Sequence, residues 1–207
     1  SAASDVYKRQ VYIQFGFIFA GENIPWTRRN IMLTGKKIVL GVSGGIAAYK
    51  MANVASMLSK LHADIHVVMT ENATHFITPE TFEVLTGNHC YTDTFDRCME
   101  LHVPHIALGT QADAILIAPA SADVVGKIAN GIADDMLTTC VLPATCPVML
   151  APSMNVHMYE NPIVQDNMKK LASYGYEIIE ADEGYLACRD IGKGKLPPEH
   201  VLSLIHI

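Results

Sequence analysis

Paired cysteines are the first thing this chain lacks. Its five cysteines, at positions 90, 98, 140, 146 and 188, are an odd number with no C-x-x-C spacing. That pattern suits free thiols in a reducing compartment, with the cytoplasm as the default, and neither a disulfide framework nor a metal is needed for stability. Charge is also scarce, at 17% of residues, and the formal balance is -6 without any cluster of Lys and Arg. Phosphate neutralisation needs such clusters, so a nucleic-acid surface is excluded and a small molecule becomes the expected partner. Long apolar runs are missing too. The stretch Val11–Ala20 is followed by Arg28 and Arg29, and it falls short of the roughly 20 apolar residues that span a bilayer.

What is present points to one globular unit. At 207 residues, half of them apolar, a single domain can bury about 70% of the surface its unfolded form exposes. The two ends stand apart from it. Asp5–Gln10 can be encoded by GATGTGTATAAGAGACAG, whose reverse complement encodes Leu202–Ile207; the pair resembles the two translated ends of a sequencing adapter. Residues 1–31 are therefore set aside as scar and upstream read-through, with Met32 as the natural start. Residues 202–207 are set aside as the second scar, and the fold is assigned to 32–201.

Within that span, apolar runs end repeatedly in small polar residues. Ile38–Val42 reads as a buried strand, Ser43, Gly44 and Gly45 as a tight turn, and Ile46–Lys60 as an amphipathic helix. Glycines there let the backbone approach a ligand, and free amides at a helix start favour an anion such as phosphate. The turn lacks both the Lys-Ser/Thr ending of a P-loop and the full G-x-G-x-x-G spacing, which disfavours an NTPase or an NAD enzyme. Asp64–Met69 is a second strand, followed by Thr70, Glu71 and Asn72. His75 beside Phe76 is read as packed, and Leu85–Glu100 as a surface loop carrying Cys90 and Cys98. His102 and His105 precede the strand Ala114–Ala118; imidazole exchanges protons near neutral pH, but spacing does not choose between the two.

Pro119–Asp123 closes that strand before a helix from Val124 with Lys127 exposed, and Asp134 and Asp135 read as caps of the helix Met136–Val141. Adjacent carboxylates on a helix face different directions, so a paired acid/base role is disfavoured. The run Pro147–Ala151 is a covered strand that delivers Ser153, Met154 and Asn155 to a carboxyl edge, where open α/β sheets bind ligands. A helix over Ile163–Tyr174 and a last strand at Glu177–Glu180 follow, and Gly184–Pro198, without helical or strand period, is expected to be a mobile lid carrying Cys188.

Five ordered motifs carry a resemblance: Lys36–Lys50, Pro104–Gly109, Ala118–Asp123, Ala151–Asn155 and Leu186–Gly194. Together they resemble the phosphopantothenoylcysteine decarboxylase family, in particular the N-terminal half of its bacterial bifunctional form, whose other half ligates cysteine to phosphopantothenate. The resemblance implies an α/β fold, a flavodoxin-like Rossmann domain with a parallel sheet in a three-layer αβα sandwich. It implies FMN as cofactor, homo-oligomers built from trimers up to a dodecamer, and decarboxylation of phosphopantothenoylcysteine to 4'-phosphopantetheine in coenzyme A biosynthesis. A cysteine carboxylate has no sink for the electrons that CO2 leaves behind; oxidation of the thiol to a thioaldehyde by FMN creates one.

By motif position, His105 matches the family's base, Asn155 the holder of the substrate carboxylate, and Cys188 the proton donor to the resulting enethiolate. Ser43, Gly44, Gly45, Ile46, Thr70, Glu71, Asn72, Ser121, Ala122, Asp123, Val124, Ser153 and Met154 match cofactor positions, and Tyr185, Ala187 and Leu196 substrate positions. Pro104 and Ala107 replace the usual Gly and Glu around His105, and Arg189 stands where the family usually has Gly. A positive φ at that place strains Arg189 by about 1 kcal/mol or more. Competing readings are a peptidyl-cysteine decarboxylase of lantibiotic type, a flavin prenyltransferase, and a non-catalytic FMN-binding regulator of a phosphatase. The trio of His105, Asn155 and Cys188 favours the first assignment over the last two.

Overall fold

The computed structural model describes residues 33–95 and 103–203. Strands Lys37–Val42 (β1), Asp64–Met69 (β2), Cys90–Tyr91 (β3), Ala114–Ala120 (β4), Val148–Pro152 (β5) and Glu177–Ile178 (β6) form a six-stranded sheet in the order β3-β2-β1-β4-β5-β6. Every pairing is parallel. Continuous apolar sequence makes these strands because the sheet is covered on both faces, so both sets of alternating side chains are buried. Ile38, Leu40 and Val42 pack with Met51 and Leu58 of helix Met51–Lys60 (α1) and Phe82 of helix Pro79–Thr86 (α2).

On the opposite face Val39, Ile115, Ile117 and Leu150 meet four helices: Pro104–Gln111 (α3), Ala122–Ala129 (α4), Met136–Val141 (α5) and Pro162–Ser173 (α7), the last preceded by the short Val156–Glu160 (α6). Each fully buried Leu or Ile contributes roughly 1.5–3 kcal/mol. The result is the expected α/β fold, three layers around a parallel sheet. Strand order reverses between β1 and β4, and that reversal opens a crevice at the carboxyl edge.

The opposite edge of the sheet is closed by charge and main chain. Asp113, just before β4, accepts from Lys36 Nζ and from the Lys37 amide, both at 2.8 Å, while the Asp64 amide donates to Lys36 O at 2.8 Å. Those two donors hold the Asp113 carboxyl below its ordinary range. Burial would raise Asp64, but the Asn88 side chain and the neighbouring His66 outweigh it and the net direction is down.

Several local expectations are corrected. The helix after Gly45 opens with a 3-10 turn, Ile46–Lys50, before α1. His75 is exposed and Phe76 is 46% exposed, because they end and cap the short 3-10 turn Glu71–His75. The segment expected as a surface loop continues α2 to Thr86 and then supplies the edge strand β3, burying Cys90; Cys98 and His102 lie outside the described residues. Lys127 is not free: it meets Asp123, Asp134 and Asp135 at 3.1–3.4 Å. Burial lowers its pKa, but the Asp134 bond and the two other carboxylates prevail and push it up. The C-terminal helix Glu199–Ser203 (α8) includes Leu202 and Ser203, both buried; 204–207 and 1–32 lie outside the described residues.

Candidate active site

Four strand ends build the crevice, and a buried serine ties two of them. Ser43, after β1, donates its hydroxyl to Pro119 O at 2.7 Å and accepts from the Ser121 amide at 2.8 Å. It is fully buried. Both its hydroxyl and its amide are occupied inside the protein, so it shapes the floor of the crevice through β4. Ser121 in turn caps α4, accepting from the Val124 amide at 3.3 Å. After β2, the Thr70 amide bonds Val42 O at 3.0 Å and brings the next loop alongside. Gly44 is required there: a Cβ would lie 2.5 Å from Asn72 Cβ. At Gly45 a Cβ would meet nothing within 4 Å.

Among the described residues three buried polar atoms have no partner, His66 Nδ1, Thr70 Oγ1 and His105 Nδ1, and of these Thr70 Oγ1 stands just past the carboxyl end of β2. Buried hydroxyls almost always find a partner, so Thr70 Oγ1, at a strand end beside the crevice, marks a position where a ligand group completes the set. Thr70, the open backbone beside Gly45 and the amides at the start of α4 suit a polar, phosphorylated group. The residues present therefore fit a flavin.

The reactive side chains meet on a second structure. Asp182–Tyr185 (β7) and Ile191–Lys195 (β8) form an antiparallel hairpin where a mobile loop had been expected. Its tip holds Ala187, Cys188 and Arg189, closed by Arg189 N to Leu186 O and Leu186 N to Asp190 O, both 2.9 Å. Arg189 takes φ 70°, the left-handed value that three-residue hairpin loops place at this position. The hairpin docks on the β5 end: the Met154 amide donates to Gly194 O at 3.0 Å, and Gly194 has φ 138° with no room for a Cβ, which would contact Met154 O.

Docking brings Cys188 to Asn155. Asn155 caps α6, its Oδ1 accepting from the His157 amide at 2.9 Å, which aims Nδ2 at the hairpin. Nδ2 donates to Cys188 Sγ at 3.2 Å and to Asp190 Oδ2 at 2.9 Å. Cys188 is an exposed thiol; Cys90 and Cys140 are buried, and burial pushes each of their thiols up to about 12. Such buried thiols are inert.

Of the anticipated site residues, Asn155 and Cys188 are in contact, and Thr70, Gly44, Gly45, Ser121 and Ser153 sit at neighbouring strand ends. Ile46, Glu71, Asn72, Ala122, Asp123 and Met154 stay at least partly accessible, as do Tyr185 and Ala187 on the hairpin. Val124 and Leu196 are buried, one in each apolar cluster, at 0% and 2% exposure. His105 stands in the first turn of α3, and among the described residues no hydrogen bond joins it to Asn155 or Cys188. Asp190 was not anticipated. Its place two residues beyond Cys188 is the one signal the sequence offers.

Comparison with known proteins adds to this geometry. The family described as Flavoprotein matches residues 27–206. The coenzyme A biosynthesis bifunctional protein CoaBC of Bacillus subtilis is 49% identical over 174 residues, 84% of this chain and 43% of that protein. The chain thus spans less than half the length of such bifunctional relatives. A probable phosphopantothenoylcysteine decarboxylase of Streptococcus mutans is 44% identical over 163 residues, 78% of this chain and 91% of that protein. Among solved structures, the FMN-dependent cysteine decarboxylase SpaF superposes with TM-score 0.72 at 36% identity, covering 83% of this chain and 95% of its own. A phosphopantothenoylcysteine decarboxylase mutant complexed with pantothenoylaminoethenethiol gives TM-score 0.73 at 29% identity, covering 81% and 94%.

Proposed function

The chain belongs to the flavoprotein family, and from that premise we propose that it is an FMN-dependent decarboxylase converting phosphopantothenoylcysteine to 4'-phosphopantetheine. The observation that carries the reading is the Asn155–Cys188 contact, an amide donor and an exposed thiol held 3.2 Å apart beside the carboxyl edge of the sheet. Names of relatives that this chain resembles over most of their length support the substrate. Held by the crevice residues, FMN would supply a reversible two-electron oxidation of the substrate thiol, which gives the departing carboxylate's electrons a sink.

The protein's own groups do the rest. Asn155 Nδ2 holds the substrate carboxylate and orients its departure, because its own Oδ1 is fixed on the α6 backbone. His105, with a free buried nitrogen, accepts the proton that thiol oxidation releases. Cys188 delivers a proton to the enethiolate left by CO2. Thr70, Ser121, Asp123, Ser153 and the Gly44–Gly45 backbone hold the cofactor, with Tyr185 and Ala187 toward the substrate.

We further assign trimers as the basic assembly; Ile46, Tyr49 and Phe76, 58%, 55% and 46% exposed on the segments after β1 and β2, supply apolar surface for it. No described helix is long and apolar enough to cross a membrane. The extent of the match, 43% of one relative and 91% of another, suits a decarboxylase that is either fused to a ligase domain or free-standing.

The deciding experiment incubates the purified protein with FMN and phosphopantothenoylcysteine and detects phosphopantetheine and CO2 by mass. SpaF is named an FMN-dependent cysteine decarboxylase, so a peptide ending in cysteine is run in parallel as the competing substrate, and its exclusive turnover would replace the assigned one. Cys188→Ser should bind substrate and lose CO2 yet accumulate the oxidised species; an undiminished yield of phosphopantetheine would remove Cys188 from the mechanism.

A further inference from the structure

Resting on the assignment of Asn155 to the substrate carboxylate, we propose that Asp190 is an internal competitor for that carboxylate, a positioning residue that sets how loosely the carboxylated ligand is held. An amide nitrogen carries two hydrogens. Asn155 cannot turn to offer them elsewhere, because its Oδ1 is fixed on the His157 amide at 2.9 Å. One donor bond goes to Cys188 Sγ at 3.2 Å and the other to Asp190 Oδ2 at 2.9 Å. Both are occupied before a ligand arrives.

A substrate carboxylate that binds Asn155 must take one of these places, and Asp190 is the occupant it matches in chemistry. The exchange is carboxylate for carboxylate, so the bond gained is offset by the bond lost. The displaced Asp190 stays on the same hairpin tip, two residues from Cys188, where its charge opposes the incoming one. A ligand without the carboxylate leaves the Asn155–Asp190 bond in place. Asp190 therefore weakens the hold on the carboxylated ground state and leaves the decarboxylated product untouched. Loose ground-state binding of the group about to leave is what raises turnover, since only interactions stronger in the transition state accelerate it.

This role differs from support of the hairpin. The tip is closed through the main chain, with Leu186 N donating to Asp190 O at 2.9 Å, and that bond survives any side-chain substitution. A residue that merely aimed Asn155 would also behave differently, since its loss would weaken substrate binding.

The test compares wild type, Asp190→Asn and Asp190→Ala, each loaded with FMN, by steady-state KM and kcat for phosphopantothenoylcysteine and by inhibition with phosphopantetheine. Titration calorimetry with phosphopantetheine on the same proteins reads the product arm without turnover. A charged hydrogen bond is about twice as strong as a neutral one, so KM should fall roughly threefold in Asp190→Asn and about tenfold in Asp190→Ala. In both variants kcat should fall as well, and product affinity should change less than about twofold. A KM unchanged or raised in both variants overturns the proposal, as does product affinity rising in step with substrate affinity. A wild type that does not consume phosphopantothenoylcysteine removes the functional reading and this inference together, whereas turnover with an unmoved KM removes this inference alone.

Discussion

Arg189 holds φ at 70° between the thiol and the carboxylate that both reach Asn155. An L-residue in that region costs roughly 1–2 kcal/mol, from the close approach of Cβ to the following carbonyl. Glycine escapes the clash but loses more entropy on folding, by roughly 0.5–1 kcal/mol. Arg189→Gly should therefore stabilise the protein by a net of about 0.5–1 kcal/mol, and for a domain of this size the melting temperature should rise about 2–3 °C. Slower amide exchange at Leu186 and Arg189, whose hydrogen bonds close the turn, should accompany it. A melt that stays put or falls would show that the arginine makes up its backbone cost elsewhere. The conformation was foreseeable from sequence, because the motif matched there usually carries glycine. Asp190 was not, because its nearness to Cys188 in sequence does not disclose a hydrogen bond to a residue 35 positions away.

The hairpin that carries this tip is an element without a sequence signature. Ile191 and Tyr185 are 76% and 64% exposed, and glycines at 184, 192 and 194 leave no alternation of apolar and polar residues for a strand to display. Its strands form because they pair with each other and dock on α6 and the β5 end, which is tertiary information. The opposite holds for β1, β2, β4 and β5, whose apolar runs were legible within a residue or two because burial on both faces demands them. Strand β3 was missed since two residues are too few for any period. Docking of the hairpin depends on Gly194, where a Cβ would contact Met154 O and where φ is 138°. Gly194→Ala should lift the hairpin and part Cys188 from Asn155, while the crevice between β1 and β4 stays intact. Turnover should drop by at least about tenfold, on the scale by which small misplacements of catalytic groups act. Flavin content, read from visible absorbance, should remain that of wild type. Equal loss of flavin would show that hairpin and crevice are one folding unit.

At the scale of the molecule the two edges of the sheet differ in kind. The carboxyl edge is held by neutral hydrogen bonds through Ser43, Ser121 and Thr70, whereas the amino edge depends on the carboxylates of Asp113 and Asp64. Both carboxyls are depressed in the folded protein, Asp113 by its bonds from Lys36 and Lys37, and Asp64 by Asn88 and His66 against the opposing effect of burial. A group whose folded pKa lies below its unfolded value contributes stability above the unfolded pKa and loses it as pH falls through the folded one. With the ordinary value at 3.8, both contributions are fully present at neutral pH. They begin to fade only near and below that value. Thermal melts should therefore hold steady down to about pH 5 and fall steeply toward pH 3. Asp113→Asn should lower the neutral-pH melt and flatten the acid slope, because the neutral amide has no proton to gain. The dependence should weaken in high salt, since Lys36 and Asp113 are partly exposed and their attraction is screened. Parallel acid slopes in wild type and Asp113→Asn would show that the acid sensitivity does not arise at Asp113.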